Sequence, residues 1–274
     1  MKFHNKHCGR LGNAIFRYLA SVIYTFYYDA TITWDGSTIS DDINDDQYIE
    51  WMNSIMQGIL PPLRQDATYF LTGYYQHDVL IKKHKAQIIE YIKAHPEDRL
   101  YDHFGVIYHL SRDIIIMLDN PCKKYDIAVH LRLEDFVGIG MIMQPKCISD
   151  VLDQIRAKWG SGYSKVALVL NAPTTEFENK YVDYFRKLYG DWLIVESNDV
   201  VTDYHILKNA RVLVSSMSTL CWIAALMSDT LEELYFPDYK KIEGYGWGHQ
   251  TVYKPIENTI HYGVEYSGEG GINF

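Results

Sequence analysis

The chain has 274 residues, 47% hydrophobic and 22% charged, enough to bury a large core in one big domain or two of moderate size, and too apolar for a disordered segment. A net charge of −9 and a pI near 5.6 leave no basic footprint for a phosphate backbone or an anionic membrane, so nucleic acid is a poor partner and any anionic ligand needs a few local cations. Cys8, Cys122, Cys147 and Cys221 stand too far apart for a zinc ribbon or a CxxC redox pair, and read as reduced thiols.

The opening MKFHNKHCGRLGN lacks the apolar run and cleavage pattern of a signal peptide. No later stretch approaches the roughly 20 apolar residues of a membrane span, so the expectation is a cytoplasmic protein. NAIFRYLASVIYTFYY, from Asn13 to about Tyr28, is apolar on nearly every face, as in a helix buried on several sides; Gly9 and Gly12 precede it and Asn13 can cap it. ATITW (30–34) reads as a strand, the acidic run Asp41, Asp42, Asp45, Asp46 as a solvated loop or helix start, and YFLTGY (69–74) as another strand. Ile81, Ile88, Ile89 and Ile92 then stripe a helix that stops before Pro96, with Asp78 at its N-cap.

Alternation is clearer in the second half. DIAVHL (126–131) reads as a strand, Ser149 to Trp159 as a helix capped by Ser149 and stopped by Gly160, and KVALVLN (165–171) as a strand. Phe177, Tyr181, Phe185 and Leu188 mark a helical face; LIVE (193–196) is a strand, Thr202 to Asn209 a capped helix, RVLVS (211–215) a strand and Ser218 to Met227 a helix. Such units imply an α/β fold with a parallel sheet wrapped by helices. Pro and charges in residues 118–126 place a boundary between halves 1–120 and 121–274, and the aperiodic Gly- and Tyr-rich stretch 244–274 is expected as a tail packed across both.

Ligands of open parallel sheets bind outside the carboxyl ends of the strands, which directs attention to three places. In His130-Leu131-Arg132-Leu133-Glu134-Asp135, His130 and Arg132 face the same way by strand alternation. The Arg132 fork can hold a diphosphate, or form an internal ion pair with Glu134 or Asp135. Ser215-Ser216-Met217-Ser218-Thr219, between a strand and a helix, offers hydroxyls and unpaired amides for an anion, or simple helix capping by Ser216 or Ser218. Gly9-Arg10-Leu11-Gly12-Asn13 allows close backbone approach but lacks the third glycine of a dinucleotide fingerprint. Asn171 and Glu196, ending two strands, sit where a base or ribose is read, or serve as turn residues. Trp247 and His249 lie in a Gly-rich loop that can close over a sugar or simply pack. The 23 tyrosines and six tryptophans suit the apolar C–H faces of sugars.

Together these motifs follow a family order. Gly9 to Tyr18 resembles the Gly-x-Leu-Gly-Asn-x-x-Phe-x-Tyr opening of α-1,2-fucosyltransferase-like enzymes. Gly73-Tyr74-Tyr75-Gln76 resembles their Gly-Tyr-x-Gln strand, His130-Leu131-Arg132 with Asp135 their His-x-Arg-Arg-Gly-Asp motif, and Asp203 to Asn209 with Ser215 to Ala225 their closing serine region. The resemblance implies a GT-B architecture of two Rossmann-like halves and an inverting, metal-independent glycosyltransferase with no cofactor beyond its nucleotide-sugar donor. It places the carbohydrate acceptor on the first half, at Tyr74, Tyr75 and Gln76. The donor falls to Gly9, Arg10, Gly12, Asn13, His130, Arg132, Asn171, Glu196, Ser215, Ser216, Ser218 and Thr219.

The family's second Arg is Leu133 here and its Gly is Glu134. A pyrophosphate clamp reads neither base nor sugar, so GDP-fucose and another donor such as UDP-xylose both stay open. Inverting transfer needs a base, for which Asp78, Glu134 and Asp135 are candidates. A metal-dependent transferase would need paired carboxylates at a strand end, with the Asp41 to Asp46 cluster the one contender, and a catalytically degenerate binding protein of the same fold is the other rival.

Overall fold

Alternating apolar strands and helices build two parallel sheets in the computed structural model, one in each of two units, Met1–Asp119 and Asn120–Phe274. The structure describes residues 1–5, 9–34, 41–101, 106–115, 125–160, 165–238 and 256–274. Cys8, Cys122, Trp247 and His249 lie outside the described residues.

In the first unit β1 (Lys2–His4) leads to α1 (Leu11–Tyr27), β2 (Thr31–Thr33), β3 (Asp41–Ile43), α2 (Asp45–Met56), β4 (Thr68–Leu71) and α3 (Asp78–Ala94). A hairpin of β5 (Arg99–Tyr101) and β6 (Ile107–His109) follows and runs into a π-helical turn, Leu110–Ile115. The sheet order is β2-β1-β4-β3, with every pair parallel. Its core is aromatic. Phe3 stacks on Tyr24 at 4.6 Å between centroids, Tyr24 packs on Trp51 at 4.1 Å, and Trp51 Nε1 donates to Tyr28 Oη at 2.8 Å. The many tyrosines are therefore core material in the main, contrary to the sugar-facing expectation. Each fully buried aromatic contributes roughly 2–3 kcal/mol from lost apolar surface.

Several boundaries differ from expectation. Gly12 and Asn13 lie inside α1, whose N-cap is Arg10, so Asn13 caps nothing. Asp78 is the first residue of α3 after an N-cap at His77. Of the acidic run, Asp45 and Asp46 open α2 behind a capping box of Asn44 and Gln47, the expected helix start, whereas Asp41 and Asp42 pair in β3. Ile89 is only half-buried beside Ile88 and Ile92.

The second unit contains β7 (Ile127–His130), α4 (Glu134–Gly138), β8 (Ile142–Met143), α5 (Pro145–Trp159), β9 (Val166–Val169), α6 (Glu176–Tyr189), β10 (Leu193–Glu196) and α7 (Val200–Lys208). After these come β11 (Val212–Val214), α8 (Thr219–Met227), β12 (Glu233–Pro237), β13 (Thr259–Tyr262) and β14 (Tyr266–Ser267). Six strands form a wholly parallel sheet in the order β10-β9-β7-β11-β12-β13. Counted in chain order within the sheet this is 3-2-1-4-5-6, the order of doubly wound dinucleotide-binding folds. Ile127, Val129, Val166 and Leu168 join α5 and α6 in one apolar cluster. By strand alternation Ala128 and Ala167 face the other way, and α7 packs over β7 and β9.

Here too the caps shift. Gln144 is the N-cap of α5 and Ser149 lies within the helix, while Gly160 does stop it, at φ +63°. Tyr189, not the exposed Leu188, completes the buried face of α6. α7 starts at Val200 because the Asp199 carboxylate accepts from the Val201 and Thr202 amides. The described part of the tail belongs to the second unit: β13 extends the sheet beside β12, β14 pairs with β8, and Phe274 packs on Phe177 and Tyr181.

Candidate functional site

In the second unit the chain builds outward from β7 through β9 to β10, then returns to β11 on the other side of β7. Connections leaving β7 and β11 run in opposite directions, and in open parallel sheets such a switch point is where ligands bind. The two sequence motifs meet there. His130, the last residue of β7, is held by a 3.0 Å hydrogen bond between its Nδ1 and Ser216 Oγ, just beyond β11. Burial, and secondarily the Arg132 charge, push the His130 imidazole down to about 3, so the ring is neutral near pH 7. His130 Nε2 makes no hydrogen bond among the described residues.

Arg132 follows two residues later, its side chain 20% exposed. Its guanidinium grips Asp135 in a fork, Nε to Oδ1 at 3.2 Å and Nη2 to Oδ2 at 2.7 Å, and lies 4.4 Å over the Phe136 ring. Phe136 in turn packs with Met141 and Met217, which carries the Arg132 platform to the serine loop. At the start of α8 no side chain caps the helix and no acid occupies its first turn, the condition under which terminal amides and the dipole favour an anion. Ser218 and Thr219 sit there, both nearly buried. Ser215 is fully buried and its hydroxyl donates to the Ser216 carbonyl at 2.7 Å, so it is structural and not a ligand-binding hydroxyl.

In the first unit β1 and β4 are neighbours, and the segments after these strands carry the other two motifs. Asn13 Oδ1 accepts from Gln76 Nε2 at 2.9 Å, and buried Arg17 donates to the Gly73 carbonyl from Nε at 3.1 Å and Nη2 at 2.5 Å. The Asp45 carboxylate receives the Tyr74 amide, at 3.1 and 3.0 Å to its two oxygens, and the Tyr75 amide at 2.7 Å. A Cβ at Gly73 would sit 2.6 Å from that carboxylate and 2.8 Å from the Asp45 nitrogen, so only glycine fits this approach. Tyr75 adopts φ +53°, a left-handed conformation costing on the order of 1–3 kcal/mol for a bulky residue. Its hydroxyl donates to the Ile43 carbonyl, and its ring is fully buried.

No family model and no curated protein matches the chain.

Several nominated residues do other work. Glu196 is buried with both oxygens occupied: Tyr125 Oη donates to Oε1, and Asn198 Nδ2 to Oε2 at 3.1 Å. Asn198 Nδ2 also bridges to Asp203 Oδ1 at 3.0 Å. This network closes the end of β10 internally, so Glu196 presents no carboxylate to a ribose. Asn171 is exposed beyond β9. Tyr75, locked in the core, offers no ring to an acceptor. Asp78 is buried and paired with Lys82 at 2.9 Å, a poor setting for a proton acceptor. Gly9 turns at φ +70° into α1, and Arg10 follows as its N-cap. Burial holds the Cys221 thiol up at about 12, an unreactive state. Among the described residues no group of three or more His, Cys, Asp and Glu side chains is arranged to hold a metal ion, and no helix is long and apolar enough to cross a membrane. Sequence reasoning missed Arg17 and Asp45, which organise the loop after β4; an arginine inside an otherwise apolar helix was the available signal.

Proposed function

We propose that the chain is an inverting glycosyltransferase of the GT-B kind, with the second unit binding a nucleotide sugar and the first a carbohydrate hydroxyl. The observation that carries this reading is the hydrogen bond between His130 and Ser216 across β7 and β11, with Arg132 and the uncapped start of α8 beside it. A doubly wound sheet whose switch point gathers a guanidinium, a neutral imidazole and helix amides suits a diphosphate. In the reaction the acceptor oxygen attacks the anomeric carbon as the bond to the leaving diphosphate breaks from the opposite face. The bonding pair departs on the diphosphate, where Arg132 and the α8 amides stabilise the growing charge. Asp135 keeps the guanidinium fork oriented. The acceptor proton passes to a base, a role for which Asp78 is badly placed.

By family resemblance the reaction needs no metal, so turnover persists in excess EDTA. The test is hydrolysis of GDP-fucose, UDP-xylose and other nucleotide sugars, with melting midpoints measured against GDP, UDP and CMP. Release of a nucleoside diphosphate from one donor is expected; no hydrolysis and no midpoint shift with any of them refutes the reading. The ion pair already occupying Arg132, with Leu133 in place of a second arginine, favours one other reading, a degenerate binding protein of the same fold. A midpoint shift without turnover selects it.

A further inference from the structure

Met56, Ile59 and Leu60 are 52%, 57% and 52% exposed, three large apolar side chains within five residues; elsewhere among the described residues such side chains stand singly or in adjacent pairs. Pro62 beside them is exposed as well, and Pro61 and Leu63 are half-buried. All belong to the turn from α2 to β4, at the amino end of the first sheet. The turn is firmly built. Gly58, at φ +77°, closes α2 by donating its amide to the Ile55 carbonyl, and the Ile59 amide reaches the Ser54 carbonyl, both at 2.9 Å. In this helix ending the residue after the glycine commonly packs back on the last turn, yet Ile59 stays in solvent. Beyond it Tyr28 Oη donates to the Pro61 carbonyl at 2.6 Å and the Arg64 amide donates to Tyr69 Oη at 2.8 Å.

A turn that meets only water has no need to bond its own amides, because water does so. Of residues 57–64, six present no bare N–H: the Gln57, Gly58, Ile59 and Arg64 amides are bonded within the protein and the two prolines have none. Such economy suits an apolar medium, where an unmet N–H is costly. Charge decides which medium. Residues 51–63 contain no charged side chain, in a chain that is 22% charged. The nearest charges are acidic in sum: Glu50 on one side, and on the other Arg64, held by Asp66 and Asp41 at 3.4 and 3.6 Å. Acidic flanks repel anionic lipid, and with a net charge of −9 they repel a second copy of the chain. The uncharged turn matches a surface that carries no net charge and has hydrocarbon beneath it.

We propose that the 56–63 turn docks the protein on a zwitterionic bilayer, with Met56, Ile59, Leu60 and Pro62 entering the interfacial layer while the rest of the fold stays in water. Docking of this kind does not depend on transferase activity.

Flotation of the full chain with phosphatidylcholine vesicles tests this, beside vesicles in which about a quarter of the lipid is phosphatidylserine. Wild type is expected to float with phosphatidylcholine, no better when phosphatidylserine is present, and equally well in high salt. Joint replacement Ile59→Asp and Leu60→Asp lowers the bound fraction about tenfold or more, with the melting midpoint kept within a few degrees because neither side chain lies in the core. Ile59→Trp puts an interface-seeking ring at the same place and raises binding severalfold, which decides the matter if the double variant does not fold. Absence of wild-type flotation, equal flotation of the double variant, or unchanged flotation of Ile59→Trp overturns the proposal. Flotation that requires phosphatidylserine and fails in salt overturns it too and assigns the contact to surface charge. A wild-type dimer in sedimentation that the double variant loses also overturns it and gives the turn to a second copy of the chain.

Discussion

Replacing Arg132 by alanine separates the two tasks that the guanidinium can perform. In the free protein it holds Asp135 through bonds of 3.2 and 2.7 Å and covers the Phe136 ring at 4.4 Å, with the two charged side chains 20% and 40% exposed. A partly solvated ion pair of this kind is worth about 0.5 kcal/mol, and the ring contact about 0.5–1 kcal/mol. Arg132→Ala therefore lowers stability by no more than about 1.5 kcal/mol, a few degrees in melting midpoint. Against a diphosphate the same fork forms two charge-assisted hydrogen bonds of about 1.5–3 kcal/mol each. Subtracting roughly 1 kcal/mol for loosening Asp135 leaves about 2–5 kcal/mol, or roughly 30- to 5,000-fold in affinity. Calorimetric titration of UDP and GDP into wild type, Arg132→Ala and Arg132→Lys measures it. Lysine keeps the charge and loses the fork, so its affinity falls between the other two. Binding by Arg132→Ala within twofold of wild type refutes the clamp, whatever its effect on stability.

Three further outcomes follow from buried groups. Burial holds the Asp203 carboxyl up at about 6 against an ordinary 3.8, outweighing the Asn198 hydrogen bonds, so its stabilising contribution is complete below about pH 4 and is lost as pH rises through 6. The span bounds the effect at about 3 kcal/mol before solvent screening. Asp203→Asn should therefore gain on wild type between pH 4.5 and pH 8 in denaturant titrations, and a constant difference across that range contradicts the account. Glu178 is buried and accepts from the Thr174 amide and hydroxyl and the Thr175 amide at 2.7, 3.0 and 3.0 Å, which outweighs burial and holds its pKa below the usual carboxylate range. Glu178→Ala should cost about 2–4 kcal/mol at pH 7 by urea unfolding, with the penalty shrinking as the wild-type carboxylate protonates in acid. Gly73→Ala, whose Cβ meets the Asp45 backbone nitrogen at 2.8 Å, should cost about 1–3 kcal/mol and displace the Tyr74 ring, seen as altered Tyr74 fluorescence quenching or NMR shifts.

Strand identity was legible because fully buried parallel strands read as continuous apolar runs, and DIAVHL, KVALVLN, LIVE and RVLVS all lie in the larger sheet. Strand order was not legible, since nothing in a strand's own sequence says which neighbour it will take. Caps were misread where a polar residue stood near an apolar run but its backbone was already helical, as with Ser149 and Asn13. Two strands went unrecognised for a related reason. Glu233–Pro237 and Thr259–Tyr262 carry no clear punctuation between Tyr- and Gly-rich neighbours, and the sheet edge recruits them through backbone hydrogen bonds, which any side chains permit. Tyr75 and Glu196 looked like ligand groups because polarity at a strand end invites that reading. Only the fold reveals that Ile43, Tyr125 and Asn198 already satisfy them.

The switch point of the larger sheet gives the proposed function its stronger support. It is bridged by a side-chain hydrogen bond between His130 and Ser216, 86 positions apart in sequence. Loops diverging from a switch point have no structural need to be tied, because the strands themselves are paired below them. Ordering a side chain there costs entropy that one hydrogen bond, at about 0.5–1.5 kcal/mol net, scarcely offsets. There the nearly buried His130 and Ser216 stand on the same loops as the Arg132 guanidinium and the uncapped start of α8, polar groups that the proposed diphosphate would complete.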